Sequence, residues 1–106
     1  MIVLKFGGTS VANAQNINKT LDIVAQKSKE NKLAVVVSAF SGVTDLLILA
    51  GKTASTKDKA YKDIVSQLEQ KHKEAIDELV PLSEQSDIID AINHHINHLK
   101  TLLDGC

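Results

Sequence analysis

The run Leu33-Ala34-Val35-Val36-Val37 constrains the fold more than any other stretch of this chain. It is apolar and largely β-branched, and it shows no alternation of apolar with polar residues. A strand with one face in water alternates; a continuous run suits a parallel strand whose two faces are both covered by crossover helices. Met1 to Phe6 reads the same way, apolar but for Lys5, and it stops at Gly7-Gly8. Between the two, Ile17, Leu21, Val24 and Ser28 fall three or four residues apart, the spacing of a helix, and Lys27, Lys29, Glu30 and Lys32 close that segment. The connection from Phe6 to Leu33 has room for this helix, so the three elements predict a right-handed βαβ unit. The fold class is therefore α/β, with parallel strands near 1–6 and 33–38.

The second half of the chain is helical by pattern. Asp45 to Ala50 predicts a short apolar helix stopped near Gly51. In a longer amphipathic segment Ala60, Ile64, Leu68, Ala75, Ile76 and Leu79 share one face, and Pro81 ends it. In a second one Ile88, Ile89, Ile92, Ile96, Leu99, Leu102 and Leu103 recur at helical spacing, with Ser83 or Ser86 as N-cap and Asp87 near the positive helix end. The short link through Pro81 predicts an antiparallel helical hairpin. Two strands with about four helices make an incomplete α/β domain, since sheets usually hold about four to six strands. Gly105 reads as a helix C-cap leading onward, so the expectation is a fragment cut at a helix end.

Composition removes several function classes. Twelve lysines, with no arginine, face thirteen acidic residues for a formal net charge of −1, which argues against a nucleic-acid binder. No run of about 18 apolar residues is present to span a bilayer, and the N-terminus lacks the order of a signal peptide. One cysteine, Cys106, forms no internal disulfide, in keeping with a reducing, cytoplasmic setting.

Ligands of open parallel sheets bind beyond the carboxyl ends of the strands, and two loops of this chain fall there. The first is Lys5-Phe6-Gly7-Gly8-Thr9-Ser10. Paired glycines let the backbone approach an anion and take positive φ, the following helix start adds N–H donors, and Lys5 adds an ammonium. Together they suit a phosphate chain, although the same letters also make a plain tight turn. Neither the longer P-loop spacing nor a dinucleotide fingerprint is present. The second loop, Ser38-Ala39-Phe40-Ser41-Gly42-Val43-Thr44-Asp45, offers hydroxyls, a glycine and another helix start. It suits a small anionic or zwitterionic substrate, or simple N-capping by Ser41 or Thr44. The strand ends would lie about 5 Å apart if adjacent, or about 10 Å with one strand between, so donor and acceptor held on these loops would meet.

Lys5-Phe6-Gly7-Gly8-Thr9-Ser10-Val11 resembles the N-terminal signature of aspartate kinases, within the amino-acid kinase superfamily. Val35-Val36-Val37-Ser38-Ala39 followed by Gly42-Val43-Thr44 is similar to that family's second motif. Lys-x-Gly-Gly alone also occurs in acetylglutamate, glutamate and uridylate kinases; the two motifs together are more specific. Val11-Ala12-Asn13-Ala14 and the tail Leu102 to Cys106 resemble bifunctional aspartokinase/homoserine dehydrogenases. The resemblance implies a three-layer α/β/α fold, of which residues 1–106 would be the N-terminal part of the catalytic domain. It implies ATP, with Mg2+ on its phosphates, and L-aspartate as partners in a homo-oligomeric enzyme of amino-acid biosynthesis. By position, Lys5 would neutralise the transferring phosphoryl group, and Gly7, Gly8, Thr9 and Ser10 would hold the ATP phosphates. Ser38 and Thr44 would hold aspartate. The family's later substrate-gripping Glu and Arg, its further active-site Asp and Lys, and its base pocket would lie beyond Cys106, so this chain alone is expected to be inactive.

His94, His95 and His98 include an i, i+4 pair but lack the Glu of a zinc-protease motif, and a surface stripe explains them; no metal site is assigned. Two other readings stand beside the kinase one: a non-catalytic helical interaction module, and a small phosphate-binding protein. An uncovered strand edge with bare apolar helix faces would favour self-association.

Overall fold

The computed structural model describes all residues, Met1–Cys106, and they form two compact units, Met1–Gly42 and Val43–Cys106. The first contains strand β1 (Ile2–Phe6), helix α1 (Ala14–Ser28) and strand β2 (Leu33–Val37). The strands are parallel neighbours in register from Ile2 opposite Leu33 to Phe6 opposite Val37. The expected order of two parallel strands joined by a helix holds, within a residue at the strand ends.

Helix α1 starts where Asn13 is extended, with φ −154°, and its Oδ1 accepts the Asn16 N–H at 2.9 Å. That bond satisfies one of the donors a helix N-terminus leaves open. The expected covering of both strand faces is not met: Val35, Val36 and Val37 are 43%, 50% and 58% exposed. Only one helix crosses between the strands, and one helix covers one face of a sheet. Alternate strand residues point to opposite sides, and both faces carry exposed residues, Val3 and Val36 on one and Val35 and Val37 on the other. Leu21, expected on the inner stripe of α1, is also 53% exposed; the buried residues of that helix are Ala14 and Thr20.

The second unit holds α2 (Val43–Ser55), α3 (Tyr61–Leu79), a single 3₁₀ turn (Leu82–Glu84) and α4 (Gln85–Asp104), with each α-helix touching the other two. Ala50, Ala54, Val65, Leu68 and Ile76 form much of its core, with Ile96 and Leu103 from α4. The hairpin of α3 and α4 is antiparallel. Tyr61, at the start of α3, donates its hydroxyl to Asp104 at the end of α4, while Gln85 Nε2 donates to the Val80 carbonyl across the turn at 2.9 Å. Val80 is extended (φ −115°, ψ 126°), as the residue before a proline prefers, and this ends α3.

Three expectations need correction. Helix α2 runs from Val43 to Ser55 and passes through Gly51. A mid-helix glycine costs only about 1 kcal/mol, and burial of Ala50 and Ala54 on either side outweighs it. The helix stops instead at Lys57, whose φ is 64°. There the Lys57 N–H reaches the Ala54 carbonyl at 3.0 Å and the Asp58 N–H the Thr53 carbonyl at 3.3 Å, a left-handed cap that usually employs glycine. Secondly, neither Ser83 nor Ser86 caps α4. The 3₁₀ turn after Pro81 winds straight into the helix, placing Ser83 inside that turn and Glu84 at the cap without a side-chain bond. Finally, on the α4 stripe Ile88 and Leu102 are 40% and 59% exposed, because the three-helix unit covers a narrower arc than the apolar stripe spans.

Candidate functional site

The site builds up from the carboxyl ends of β1 and β2. One step past the last strand pair, the Ser38 N–H donates to the Phe6 carbonyl at 3.1 Å, so the ladder carries the second loop up against the first. A β-carbon at Gly8 would lie 3.8 Å from Ser38 Oγ. The Ser38 hydroxyl itself donates to the Ala39 carbonyl at 3.0 Å, on an exposed residue. Lys5 is exposed on the strand face opposite to Leu4 and Phe6, two residues before Gly7.

The glycine loop turns between Gly7 and Ser10, where the Ser10 N–H donates to the Gly7 carbonyl at 3.1 Å. The backbone N–H groups of Gly8, Thr9 and Val11 donate to no protein acceptor. Neither Gly7 nor Gly8 has positive φ, contrary to the sequence expectation; that conformation belongs to Gly42, with φ 84°. A β-carbon at Gly7 would meet nothing within 4 Å. The fold itself thus requires a side-chain-free residue at neither position. What the two glycines provide is a bare backbone surface beside the strand tips, with donors along it.

Lys5, Gly7, Gly8, Thr9, Ser10 and Ser38 all lie within the first unit, where Gly8 and Ser38 are neighbours. Thr44 belongs to the second unit, as the second residue of α2, and is exposed. Sequence reasoning missed the residues that hold the loop from below. Asn16 Nδ2 donates to the Thr9 carbonyl, and the Thr20 hydroxyl to the Ser10 carbonyl, each at 2.9 Å. The Asn13 cap could have been found from its letter and place before the helix. Thr20 could not, because it occupies a buried helix position that periodicity assigns to an apolar residue.

No group of three or more His, Cys, Asp or Glu side chains is gathered to hold a metal ion. The donors present are an ammonium, peptide N–H groups and hydroxyls, which fit phosphate oxygens. No helix is long and apolar enough to cross a membrane.

The model of the amino acid kinase family matches residues 1–99. The chain is 37% identical over 101 residues to bifunctional aspartokinase/homoserine dehydrogenase 1, chloroplastic, of Arabidopsis thaliana, an alignment covering 95% of this chain and 11% of that protein. It is 35% identical over 99 residues to the aspartokinase of Chlamydia pneumoniae, covering 93% of this chain and 21% of that one. Among solved structures, Clostridium acetobutylicum aspartate kinase superposes with a TM-score of 0.71 at 23% identity, over 92% of this chain and 23% of its own. The last is a likeness of fold. These matches run through the helices as well as the loops, which does not favour reading the chain as a free-standing helical module. The chain spans only a tenth to a quarter of the length of these relatives.

Proposed function

This chain belongs to the amino acid kinase family, and on that premise we propose that it is the N-terminal part of an aspartate kinase catalytic domain. The reaction is transfer of the ATP γ-phosphoryl group to the side-chain carboxylate of L-aspartate, giving 4-phospho-L-aspartate. Phosphoryl transfer demands little covalent chemistry of the protein; it demands alignment of donor and acceptor and neutralisation of charge. In this reading Lys5 sets its ammonium against the transferring group. Gly7 and Gly8, with Thr9 and Ser10, supply the peptide and hydroxyl donors for the ATP phosphates, and Mg2+ arrives bound to those phosphates. Ser38 and Thr44 orient the aspartate acceptor. The enzyme is cytoplasmic and homo-oligomeric, and residues 1–106 by themselves turn over no ATP.

The observation that carries this reading is the junction of the two loops: Ser38 bonded to Phe6, and Gly8 against Ser38. It supports a phosphate donor and its acceptor meeting over one pair of strand ends. Two measurements test it. ATP·Mg2+ added to the labelled chain should shift the Gly7 and Gly8 amide resonances before any in the helical unit. In the kinase encoded by the full reading frame, Lys5→Ala should lower kcat about 100-fold or more, the scale seen when one preorganised charge-stabilising donor is lost. Thr44→Ala should chiefly raise the KM for aspartate. Unaltered kinetics in both variants would remove the assignment.

A further inference from the structure

We propose that Thr20 and Asn16 of α1 are positioning residues for the glycine loop, drawing its carbonyls toward the helix so that its N–H edge faces a bound phosphate chain. The role rests on the phosphate reading given above. The Thr20 hydroxyl donates to the Ser10 carbonyl at 2.9 Å, and Thr20 is only 7% exposed. A threonine inside a helix ordinarily satisfies its hydroxyl four residues back on its own helix. Thr101 does so here, bonding the Asn97 carbonyl, as Ser66 bonds that of Lys62. Thr20 instead reaches ten residues back, out of its helix and into the loop. Asn16 makes a second tie of the same kind to the Thr9 carbonyl, and its own backbone is fixed by the Asn13 cap.

The consequence follows from peptide geometry. A trans peptide plane holds its C=O and N–H on opposite sides, and the chain has no cis peptide bond. With the Ser10 carbonyl turned to Thr20, the Val11 N–H points away from α1. With the Thr9 carbonyl turned to Asn16, the Ser10 N–H points to the other side, where it closes the turn on Gly7. Two acceptors that would repel an anion are thereby held against the helix, and of the two N–H groups they orient, that of Val11 is left without a protein acceptor. Preorganised peptide donors also avoid the cost of ordering a mobile loop at the moment of binding.

The test uses the 106-residue chain with Thr20→Val, which keeps the side-chain shape and removes the hydroxyl, and Thr20→Ser, which keeps the hydroxyl. Hydrogen exchange of the Ser10 amide, which is bonded to the Gly7 carbonyl, is measured without ligand. Tripolyphosphate affinity is read from the Gly8 amide shift, and thermal unfolding is followed by circular dichroism. Thr20→Val should speed loop exchange and weaken tripolyphosphate about 5- to 10-fold, the weight of one hydrogen bond. Thr20→Ser should bind within about 2-fold of the parent chain, since it retains that bond. Asn16→Leu, on a half-buried position, should act in the same direction as Thr20→Val and serves if the latter fails to fold. Equal losses in Thr20→Val and Thr20→Ser, or loop exchange unchanged in Thr20→Val and Asn16→Leu, would overturn the positioning role alone. Absence of any Gly8 shift in the unsubstituted chain would overturn the phosphate reading beneath it.

Discussion

Ser38 gives its backbone N–H to the Phe6 carbonyl at 3.1 Å, and through that one bond the end of β2 delivers a serine to the flank of the glycine loop. The strand register stops one residue earlier, at Phe6 opposite Val37. Two stretches more than thirty residues apart in the chain therefore share a single surface because parallel pairing puts both carboxyl ends on the same edge.

Gly8 sits at that junction, and its role separates from the fold. Its φ is not positive, and an alanine there would be in ordinary van der Waals contact with Ser38 Oγ at 3.8 Å. Gly8→Ala should therefore shift stability by no more than about 1 kcal/mol in either direction, while a methyl group on the donor surface weakens ATP binding. Urea unfolding beside an ATP titration checks both. A large loss of stability with binding retained would make Gly8 a purely structural residue.

Gly42 behaves in the opposite way. Its φ of 84° is a conformation that side-chain-bearing residues adopt only at a cost. Although a β-carbon would find space there, Gly42→Ala should destabilise the chain by about 1–2 kcal/mol. Equilibrium unfolding that shows no loss would mean the backbone relaxes to another turn.

Gly51 is the site where stability should rise. It lies inside α2 with ordinary helical φ, and a β-carbon would meet nothing within 4 Å. Gly51→Ala reduces the freedom of the unfolded chain without strain and should gain about 0.5–1 kcal/mol. A higher urea midpoint at an unchanged slope is the expected result.

Tyr61 supplies a pH readout. Its hydroxyl donates to the Asp104 carboxylate, and this bond, then burial and the nearby negative charges of Asp104 and Cys106, raise its pKa above the usual value. A pKa raised by folding means that the folded state holds the proton more tightly than the unfolded chain. The stabilisation is complete below the unfolded pKa of about 10 and is lost as pH climbs through the folded value. As the chain has one tyrosine and no tryptophan, its alkaline absorbance change reports this residue alone. Asp104→Asn should return the midpoint toward that of free tyrosine and flatten the loss of stability at high pH.

The strands, the crossover helix and the two long helices were all legible in the letters, since each rests on a local property: an unbroken β-branched run, a three-to-four residue apolar spacing, a proline that bars αR in the residue before it. The loop glycines were legible too, although for the wrong backbone reason. Three features depended on contacts across the chain and stayed hidden. Gly51 stops nothing, because burial of Ala50 and Ala54 overrides local propensity. Lys57 takes a left-handed cap because the turn into α3 demands it. Thr20 ties a loop ten residues away because a helix face happens to lie under that loop. Sequence by itself determined which segments become strands and helices and where a bare glycine backbone follows a strand. Tertiary structure alone decided which polar groups hold that backbone in place, because a hydrogen bond depends on where two distant atoms come to rest and leaves no period in the sequence.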